Sequence, residues 1–314
     1  MSQNELHVIF GTGALGKWTA RELVRLGKPV RMVSHSGKAD ARIPAEVEIV
    51  KGDAYDFTRN LEVTKGANAV YQCAQPLYHE WAEKFPPMQK AILDAVAANG
   101  AKFIVGDNLY MYGDTNGQPI REDMPYQPHS KKGTVRGAMA TAVMDAHRTG
   151  KVRAAIGRAS NFFGPDDNAV TSFAIRPALA GKAVNLMGKT DQLHTFSYIA
   201  DFGKLLATLG TREDTLGQIW FTPSPAPVTQ MDLVKLMEEE LGQKVKFMVA
   251  GKMMMSFLGL FMPTLRESVE MLYEWDKPFI MDSSKAEKAF GWKGTPLREA
   301  MQATIDWCKS DSAK

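Results

Sequence analysis

The chain has 314 residues, with 38 Lys and Arg against 35 Asp and Glu, and a formal net charge of +3 at pH 7. This length is enough for one or two domains with a sizeable buried core. The nearly balanced, interspersed charges argue against nucleic acid or an anionic membrane as a partner, so we expect a small-molecule ligand.

Cysteine content and the N-terminal sequence indicate the compartment. Cys73 and Cys308 are far apart and form neither a disulfide framework nor a metal knuckle, which fits a reducing compartment and a protein without a bound metal. The stretch MSQNELHVIF lacks the basic and long apolar segments of a signal peptide. The apolar stretch 247–263 is too interrupted to span a membrane. Its interruptions are Gly251, Lys252, Gly259 and Pro263. We therefore expect a soluble, cytoplasmic protein.

Short β-branched runs alternate with helical patterns through the first half of the chain. In chain order, the predicted elements are strand 6–10, helix 14–26, strands 29–33, 47–50 and 68–72, helix 79–98, strand 102–106, helix 133–148 and strand 152–157. Such alternation implies right-handed crossovers and a parallel sheet with helices on both faces. The prediction is an α/β fold, a Rossmann-like doubly wound parallel sheet, in which ligands bind beyond the carboxyl ends of the strands.

A glycine-rich turn joins the first strand to the first helix. Gly11, Gly13 and Gly16 form G-x-G-x-x-G in this strand-to-helix context, which is what makes the motif informative. The first glycine permits the tight turn, the second lets the backbone approach a pyrophosphate, and the third lets helix and strand pack closely. We predict that this turn binds a dinucleotide. Its binding residues would be Gly11, Thr12, Gly13, Ala14, Leu15 and Gly16.

After about Gly164 the pattern changes to longer helical stretches and the proline-rich turn 222–228. We predict a smaller, mostly helical C-terminal lobe that binds the substrate. The dinucleotide-binding domain would comprise 1–165 with about 195–225, and the lobe about 166–194 and 226–314. Five methionines of this region either pack in its core or line an adaptable apolar pocket. They are Met253, Met254, Met255, Met262 and Met271.

Several further motifs follow the glycine turn in a characteristic order. They are GDAYD (52–56), YQCAQP (71–76), FIVGDNLYMYG (103–113), GRASNFFGP (157–165) and FIMDSSKAEKAFGWKGTPLREAM (279–301). Over nearly its whole length the chain resembles the short-chain dehydrogenase/reductase superfamily, in particular its extended epimerase/dehydratase-like branch. The resemblance implies an NAD(P) cofactor, and analogy with the fold suggests a homodimer.

The end of the second strand bears on the choice of cofactor. Counting about 20 residues from the glycine turn reaches Ser34, and no carboxylate occurs before Asp40. Hydroxyl groups and cations suit the 2′-phosphate of NADP, whereas a carboxylate would favour NAD. We expect NADP, with NAD as the alternative because an ordinary polar turn tolerates either. The residues assigned to this end are Ser34, His35, Ser36 and Lys38. By resemblance, Asp53 and Ala54 face the adenine, and Cys73, Ala74 and Gln75 lie beside the pyrophosphate and nicotinamide ribose.

The family resemblance also locates the catalytic positions, and here the chain departs from the family. The family's Tyr-x-x-x-Lys pair falls on Lys132 and Arg136, which helical spacing places on one face. Arg136 can hydrogen-bond the ribose but cannot release a proton. Lys132 can exchange a proton if burial or the neighbouring Arg136 favours its neutral amine.

The family's Ser or Thr after the fifth strand is Asn108 here, whose amide can orient a carbonyl but cannot shuttle protons. Tyr110 is a candidate for the missing acid, as are Tyr78 and His79, while we expect Tyr112 to pack and His129 and Lys131 to face solvent. The family's diphosphate-binding arginine is replaced by His194, a poor bidentate clamp.

Three functions remain open at this point. The first is an NADP-dependent oxidoreductase that acts on a small or apolar carbonyl or hydroxyl compound. The second is a non-catalytic protein that senses NADP(H). The third is an epimerase or dehydratase with an unusual acid/base pair.

Overall fold

The computed structural model describes residues 5–38, 40–167, 170–251, 255 and 269–311. The chain forms two compact units. The first unit comprises Met1–Met111, Thr134–Arg158 and Phe202–Trp220. The second comprises Tyr112–Gly133, Ala159–Asp201 and Phe221–Lys314. These units are defined by contacts, so the division into dinucleotide-binding and substrate-binding domains stays a prediction.

The strands are β1 (Leu6–Phe10), β2 (Val30–Ser34), β3 (Glu48–Lys51), β4 (Ala67–Gln72), β5 (Lys102–Asp107), β6 (Arg153–Arg158), β7 (Asn161–Phe163), β8 (Val184–Met187), β9 (Phe196–Tyr198), β10 (Ile219–Phe221) and β11 (Phe247–Ala250). The α-helices are α1 (Ala14–Arg25), α2 (Phe57–Val63), α3 (Trp81–Asn99), α4 (Lys131–Arg148), α5 (Arg176–Leu179), α6 (Ile199–Thr211), α7 (Gln230–Leu241), α8 (Tyr273–Asp276), α9 (Ser284–Phe290) and α10 (Leu297–Asp311).

A seven-stranded sheet has the order β10-β6-β5-β4-β1-β2-β3. Its pairs from β3 through β6 are parallel. The interior strand β1 is mostly apolar because both faces of such a sheet are covered, and Val8, Ile9 and Phe10 are buried. This sheet confirms the predicted doubly wound architecture. The strand order reverses between β1 and β4, which is where such folds bind ligands at the carboxyl ends of the strands.

Hydrogen bonds from its first backbone N–H groups determine where helix α4 begins. Helix α4 begins at Lys131, two residues before the predicted start, because Ser130 Oγ accepts the Gly133 N–H (3.0 Å) and Glu270 accepts the Lys131 N–H (2.8 Å). Lys131 is therefore the first helical residue rather than part of the preceding loop, and its side chain is exposed as expected.

The second unit contains short strands as well as helices. Strand β7 pairs with β9 and strand β8 with β11, both in parallel. Its core includes Phe163, Phe196 and Trp275. Met255 packs in this core and Met271 is also buried, so these two methionines follow the packing alternative. Met253, Met254 and Met262 lie outside the described residues. In the described part of the chain, no helix is long and apolar enough to cross a bilayer.

Helix α7 offers a test of local stability. Thr229 Oγ1 accepts the Asp232 N–H (3.0 Å), and the Asp232 carboxylate accepts the Thr229 N–H (2.9 Å), which is a complete capping box. We expect Thr229→Ala to lower the free energy of unfolding by about 1 kcal/mol, because it leaves a helix N–H unsatisfied. The measurement is urea unfolding followed by circular dichroism. Thr141→Ala, at an exposed position inside α4, is the control and should cause no loss. Equal stability of the two variants would contradict the role of the cap.

Candidate functional site

The glycine turn is tightly packed at two of its glycines and open at the third. Gly11 has φ +109°, and a Cβ there would lie 2.7 Å from the Ala74 backbone nitrogen. A Cβ on Gly16 would overlap the Gly11 carbonyl oxygen. A Cβ on Gly13, in contrast, would meet no described atom within 4 Å. The turn therefore brings α1 close to β1 and β4 while leaving room over Gly13.

Helix α1 follows this turn directly. Gly13 is its N-cap, and within the described residues no side chain caps the helix there. The first turn carries no acidic residue that would compete with an anion. Free N–H groups and the helix dipole favour a negatively charged group at this position. The predicted residues Thr12, Ala14 and Leu15 lie in this segment, so the turn fits a pyrophosphate.

The turn after β2 uses its hydroxyl groups internally. Ser34 Oγ accepts the Gly37 N–H (3.1 Å) and Ser36 Oγ accepts the Lys38 N–H (3.2 Å). Gly37 packs so closely on β3 that a Cβ there would lie 2.8 Å from the Lys51 Cβ. The two serines thus shape the turn, and the turn lies against Lys51.

Asp40, the first carboxylate after β2, is bound to two cations. Its side chain accepts hydrogen bonds from Arg42 Nε (3.1 Å) and Lys17 Nζ (2.6 Å). Hydrogen bonds from Arg42 and Lys17 hold the pKa of Asp40 well below its ordinary value, although partial burial opposes them. This carboxylate is therefore neutralised within the protein.

A cavity of about 340 Å³ lies at the carboxyl ends of β2 and β3. Its lining residues are His35, Lys51, Gly52, Asp53 and Arg59. His35 and Asp53 were predicted from the sequence, whereas Lys51 and Arg59 were not. The register of the parallel strands, which pairs Ser34 with Lys51, is the signal that could have identified Lys51. The predicted Ala54 lies next to Asp53, where its carbonyl accepts a hydrogen bond from Asn60 (2.8 Å).

The residues after β4 lie against the glycine turn. The Ala74 backbone lies so close to Gly11 that a side chain at position 11 would clash with it. The neighbouring Cys73 N–H donates a hydrogen bond to the Phe10 carbonyl (2.9 Å). Burial raises the pKa of the Cys73 thiol to about 12, so it is not a thiolate at neutral pH. Gln75 is exposed. The structure thus brings the predicted β1 and β4 segments together.

At the end of β5, Asn108 and Tyr110 form a short linked segment. Asn108 Oδ1 accepts the Tyr110 N–H (3.2 Å), which leaves the Asn108 NH₂ as the polar group it can present to a ligand. The Tyr110 ring is half-buried, with its centroid 6.2 Å from that of Trp81. Tyr112 is buried and contacts Tyr126 and Phe221 edge-on, as expected of a packing residue.

Asp107 is a buried carboxylate that sequence analysis missed. It accepts hydrogen bonds from Arg136 Nε (2.7 Å) and Arg158 Nε (2.9 Å). Arg136 Nη2 also donates to the Gly106 carbonyl (3.1 Å), and its guanidinium lies 4.6 Å from the Phe85 ring centroid. Asp107 and Arg158 are register partners in β5 and β6, which is the signal that could have shown their pairing. Arg136 is therefore held in place by a carboxylate.

Lys132, one helical turn before Arg136, binds a different acid. Its Nζ lies 3.4 Å from Glu270 Oε1, and Glu270 also accepts the Lys132 N–H (3.2 Å). The Lys132 side chain is buried, with 3% of its surface exposed. His129 is exposed, as expected, and its ring contacts Tyr273. Glu270 therefore holds Lys132 at the start of α4 through both its backbone and its side chain.

His194 belongs to a buried polar cluster that was also missed. Asn161 Nδ2 lies 3.0 Å from His194 Nε2 and 3.0 Å from Glu274 Oε2. The His194 ring stacks on Trp275 with centroids 4.2 Å apart. Burial lowers the pKa of His194 to about 3 and raises the pKa of Glu274 to about 8. Both groups are therefore uncharged at neutral pH.

Comparison with known proteins places these features in a family context. A model of the NAD dependent epimerase/dehydratase family matches residues 8–220. A UDP-glucose 4-epimerase from Corynebacterium glutamicum is 28% identical over 152 residues, which cover 44% of this chain and 45% of that protein. A 3beta-hydroxysteroid-dehydrogenase/decarboxylase from Arabidopsis thaliana is 22% identical over 300 residues, which cover 83% of this chain and 52% of that protein. The chain spans about half the length of these curated relatives.

A solved structure supports the same fold. The dTDP-glucose 4,6-dehydratase of Streptomyces venezuelae, with NAD bound, superposes with a TM-score of 0.80 at 16% identity. The superposition covers 98% of this chain and 98% of that chain. At this identity the likeness concerns the fold alone. In the described part of our chain, no group of three or more His, Cys, Asp or Glu could hold a metal ion.

The buried cluster around Glu274 makes stability depend on pH. The unfolded carboxyl has a pKa near 4.5 and the folded one near 8. Its contribution is therefore fully present below about pH 4.5 and is lost as pH rises towards 8. We expect wild type to lose stability relative to Glu274→Gln over this range, by at most about 1.4 kcal/mol per pH unit.

The measurement is the free energy of unfolding of both proteins between pH 5 and 8.5. His194 is present in both proteins, so its own titration largely cancels in the difference. Glu299→Gln, at an exposed site in α10, is the control and should track wild type at every pH. A pH-independent difference between wild type and Glu274→Gln would contradict the raised pKa.

The open space over Gly13 yields a second test. Gly13→Ala should fold, with a loss below about 1 kcal/mol, since its backbone is extended and its Cβ meets no described neighbour. The added methyl should weaken dinucleotide binding at least about tenfold, because it occupies the space of close approach. Isothermal titration with NADP measures the affinity. Gly251→Ala, whose Cβ also meets no described atom, should bind like wild type. Undiminished binding by Gly13→Ala would exclude this turn as the phosphate site.

Proposed function

Because the chain belongs to the NAD dependent epimerase/dehydratase family, we propose that it is an oxidoreductase acting with NADP(H) on a small or apolar carbonyl or hydroxyl compound. Membership confirms the family resemblance and the Rossmann-like enzyme fold. The observation that carries the proposal is the glycine turn. The backbone packs tightly at Gly11 and Gly16, whereas the space next to Gly13 is free of described atoms. Such a turn before an uncapped helix suits the pyrophosphate of a dinucleotide.

The region after β2 supports NADP over NAD. An NAD-binding chain of this fold presents a carboxylate to the adenosine ribose. Here Ser34 occupies that position, and Asp40 is engaged by Lys17 and Arg42. A ribose carrying an additional phosphate would therefore meet no uncompensated negative charge from Asp40. NAD, which is bound in the dehydratase of similar fold, is the alternative cofactor.

The proposed chemistry assigns separate roles to the residues at the ends of β5 and α4. When bound, NADP(H) supplies or accepts the hydride. The Asn108 NH₂ donates a hydrogen bond to the substrate oxygen and orients it. The Lys132 ammonium gives a proton to that oxygen during reduction and becomes a neutral amine, which takes the proton back in the reverse direction. Tyr110 is the alternative proton donor, and Arg136 holds the ribose.

The uncharged His194 cluster supports a small or apolar substrate. A nucleotide sugar carries a diphosphate, which proteins usually bind with charged, bidentate groups. His194 is neutral and stacks on Trp275, and the nearby Glu274 carboxyl is uncharged. Neither group therefore offers a positive charge to a diphosphate. The Arabidopsis relative is named for a hydroxysteroid, an apolar alcohol. We also propose a cytoplasmic location, which a content of only two cysteines, far apart in sequence, favours, and a homodimer by analogy with the fold.

One observation favours a second function, a non-catalytic protein that senses NADP(H). Arg136 uses Nε and Nη2 on Asp107 and the Gly106 carbonyl. A guanidinium held in this way can stabilise the fold without touching a cofactor. If Lys132 likewise serves only to hold Glu270 at the start of α4, the chain would bind NADP(H) without turnover.

A substrate screen with two lysine variants separates these functions. We expect the wild-type chain to oxidise NADPH with at least one carbonyl compound from a panel that includes aldehydes, ketones and steroid ketones. Lys132→Ala should lower kcat at least about 100-fold with little change in NADPH affinity, because it removes the proton donor. The measurements are NADPH absorbance at 340 nm, a general property of the reduced nicotinamide, and NADPH titration.

Lys131→Ala removes the same charge from the neighbouring, exposed position and should retain activity. NADPH binding without turnover on the whole panel would favour the sensing function. Equal activity of Lys132→Ala and Lys131→Ala would remove Lys132 from the mechanism.

A further inference from the structure

We propose that Lys51 and Arg59 bind the 2′-phosphate of NADP(H), so that residues from β3 and α2, rather than the turn after β2, select the phosphorylated cofactor. This inference rests on the proposed function, because it assumes that the glycine turn binds the rest of the dinucleotide. It assigns a specificity role to two residues that the family resemblance does not mark.

The cavity at the ends of β2 and β3 has the size of a partial ligand site. Its volume, about 340 Å³, is at the lower end of the range of about 300–1,000 Å³ for small-molecule pockets. It can therefore receive one end of a dinucleotide. Its position at the carboxyl ends of two parallel strands of the sheet is where nucleotides bind in doubly wound folds.

The charges around this cavity favour an anion. Lys51 and Arg59 are cationic, His35 adds an imidazole, and Asp53 supplies the opposing carboxylate. Asp53 Oδ1 accepts the Tyr55 N–H (3.0 Å), which occupies part of its accepting capacity. In the described structure the Lys51 ammonium has no ion pair or hydrogen bond. An unpaired ammonium at a cavity is a suitable partner for a phosphate dianion.

Arg59 is held beside Lys51 by the protein itself. Its Nε donates to the Lys51 carbonyl (2.9 Å), and its Nη1 donates to Glu62 Oε2 (2.8 Å). Among the described residues, Nη2 makes no hydrogen bond and can donate to a ligand. Because two contacts already orient the guanidinium, little conformational entropy is lost when it binds a phosphate.

The residues of the turn are less suited to this role. The Ser34 and Ser36 hydroxyls accept hydrogen bonds from the turn's own backbone. Lys38 is exposed and does not line the cavity. The turn packs against Lys51 through Gly37, so its contribution is to border the cavity rather than to supply its positive charge.

The test compares the affinities of NADP and NAD for two variants of the full chain. Lys51→Met and Arg59→Gln should each weaken NADP binding about tenfold or more, because one charge-assisted contact is lost. Their NAD affinity should change less than about twofold, since NAD lacks the 2′-phosphate. Unchanged NAD binding also shows that the variants are folded. Adenosine 2′,5′-bisphosphate and 5′-AMP serve as smaller probes, and the same selective loss is expected.

Lys65→Met, which removes an exposed positive charge outside the cavity, is the control and should leave the ratio of affinities unchanged. Lys38→Met tests the alternative that the turn after β2 supplies the selecting charge. Equal losses for NADP and NAD, or a selective loss in Lys38→Met alone, would overturn the inference. If wild type binds NADP and both cavity variants keep that affinity, the inference fails while the proposed function stands. If wild type binds neither nucleotide, the proposed function fails with it.

Discussion

The first unit depends on a contact that only glycine permits. Gly16 lies so close to the Gly11 carbonyl that any side chain on it would overlap that oxygen, and Gly11 itself lies against Ala74. This contact draws α1 onto β1 and brings the end of β4 beside the turn. It therefore sets where the N-terminus of α1 points and where the β4 segment runs, which are the two features that suit a pyrophosphate.

Buried charge is the second constraint, and the chain satisfies it by giving its buried cations acidic partners. Asp107 lies between Arg136 and Arg158, so Arg136 has a protein carboxylate of its own. Removing one partner of a buried ion pair typically lowers the free energy of unfolding by about 3–5 kcal/mol. This cost explains why Arg136 and Asp107 occur together. Lys132 is buried as well, and its partner Glu270 is partly exposed. Arg136 and Lys132 therefore each have an acidic partner within the protein.

Sequence patterns predicted the sheet well because its strands and turns depend on local chemistry. Apolar runs and the glycine turn identified β1, α1 and β4 to within about two residues. The partners of the key side chains were missed because they are distant in sequence. Glu270 lies 138 residues from Lys132 and Glu274 lies 113 residues from Asn161. Lys51 was missed because its place beside Ser34 follows from strand register, and no local pattern encodes that pairing. The assigned roles of Asn108, Tyr110 and Lys132 remain predictions.

The raised pKa values of the two cysteines have a consequence for the chemistry of this protein. The pKa of Cys73 is raised to about 12 and that of Cys308 to about 11, in both cases mainly by burial. Attack by sulfur requires the ionised form, which is scarce at neutral pH for groups of this kind. The thiols of both side chains are therefore poor nucleophiles in the folded chain.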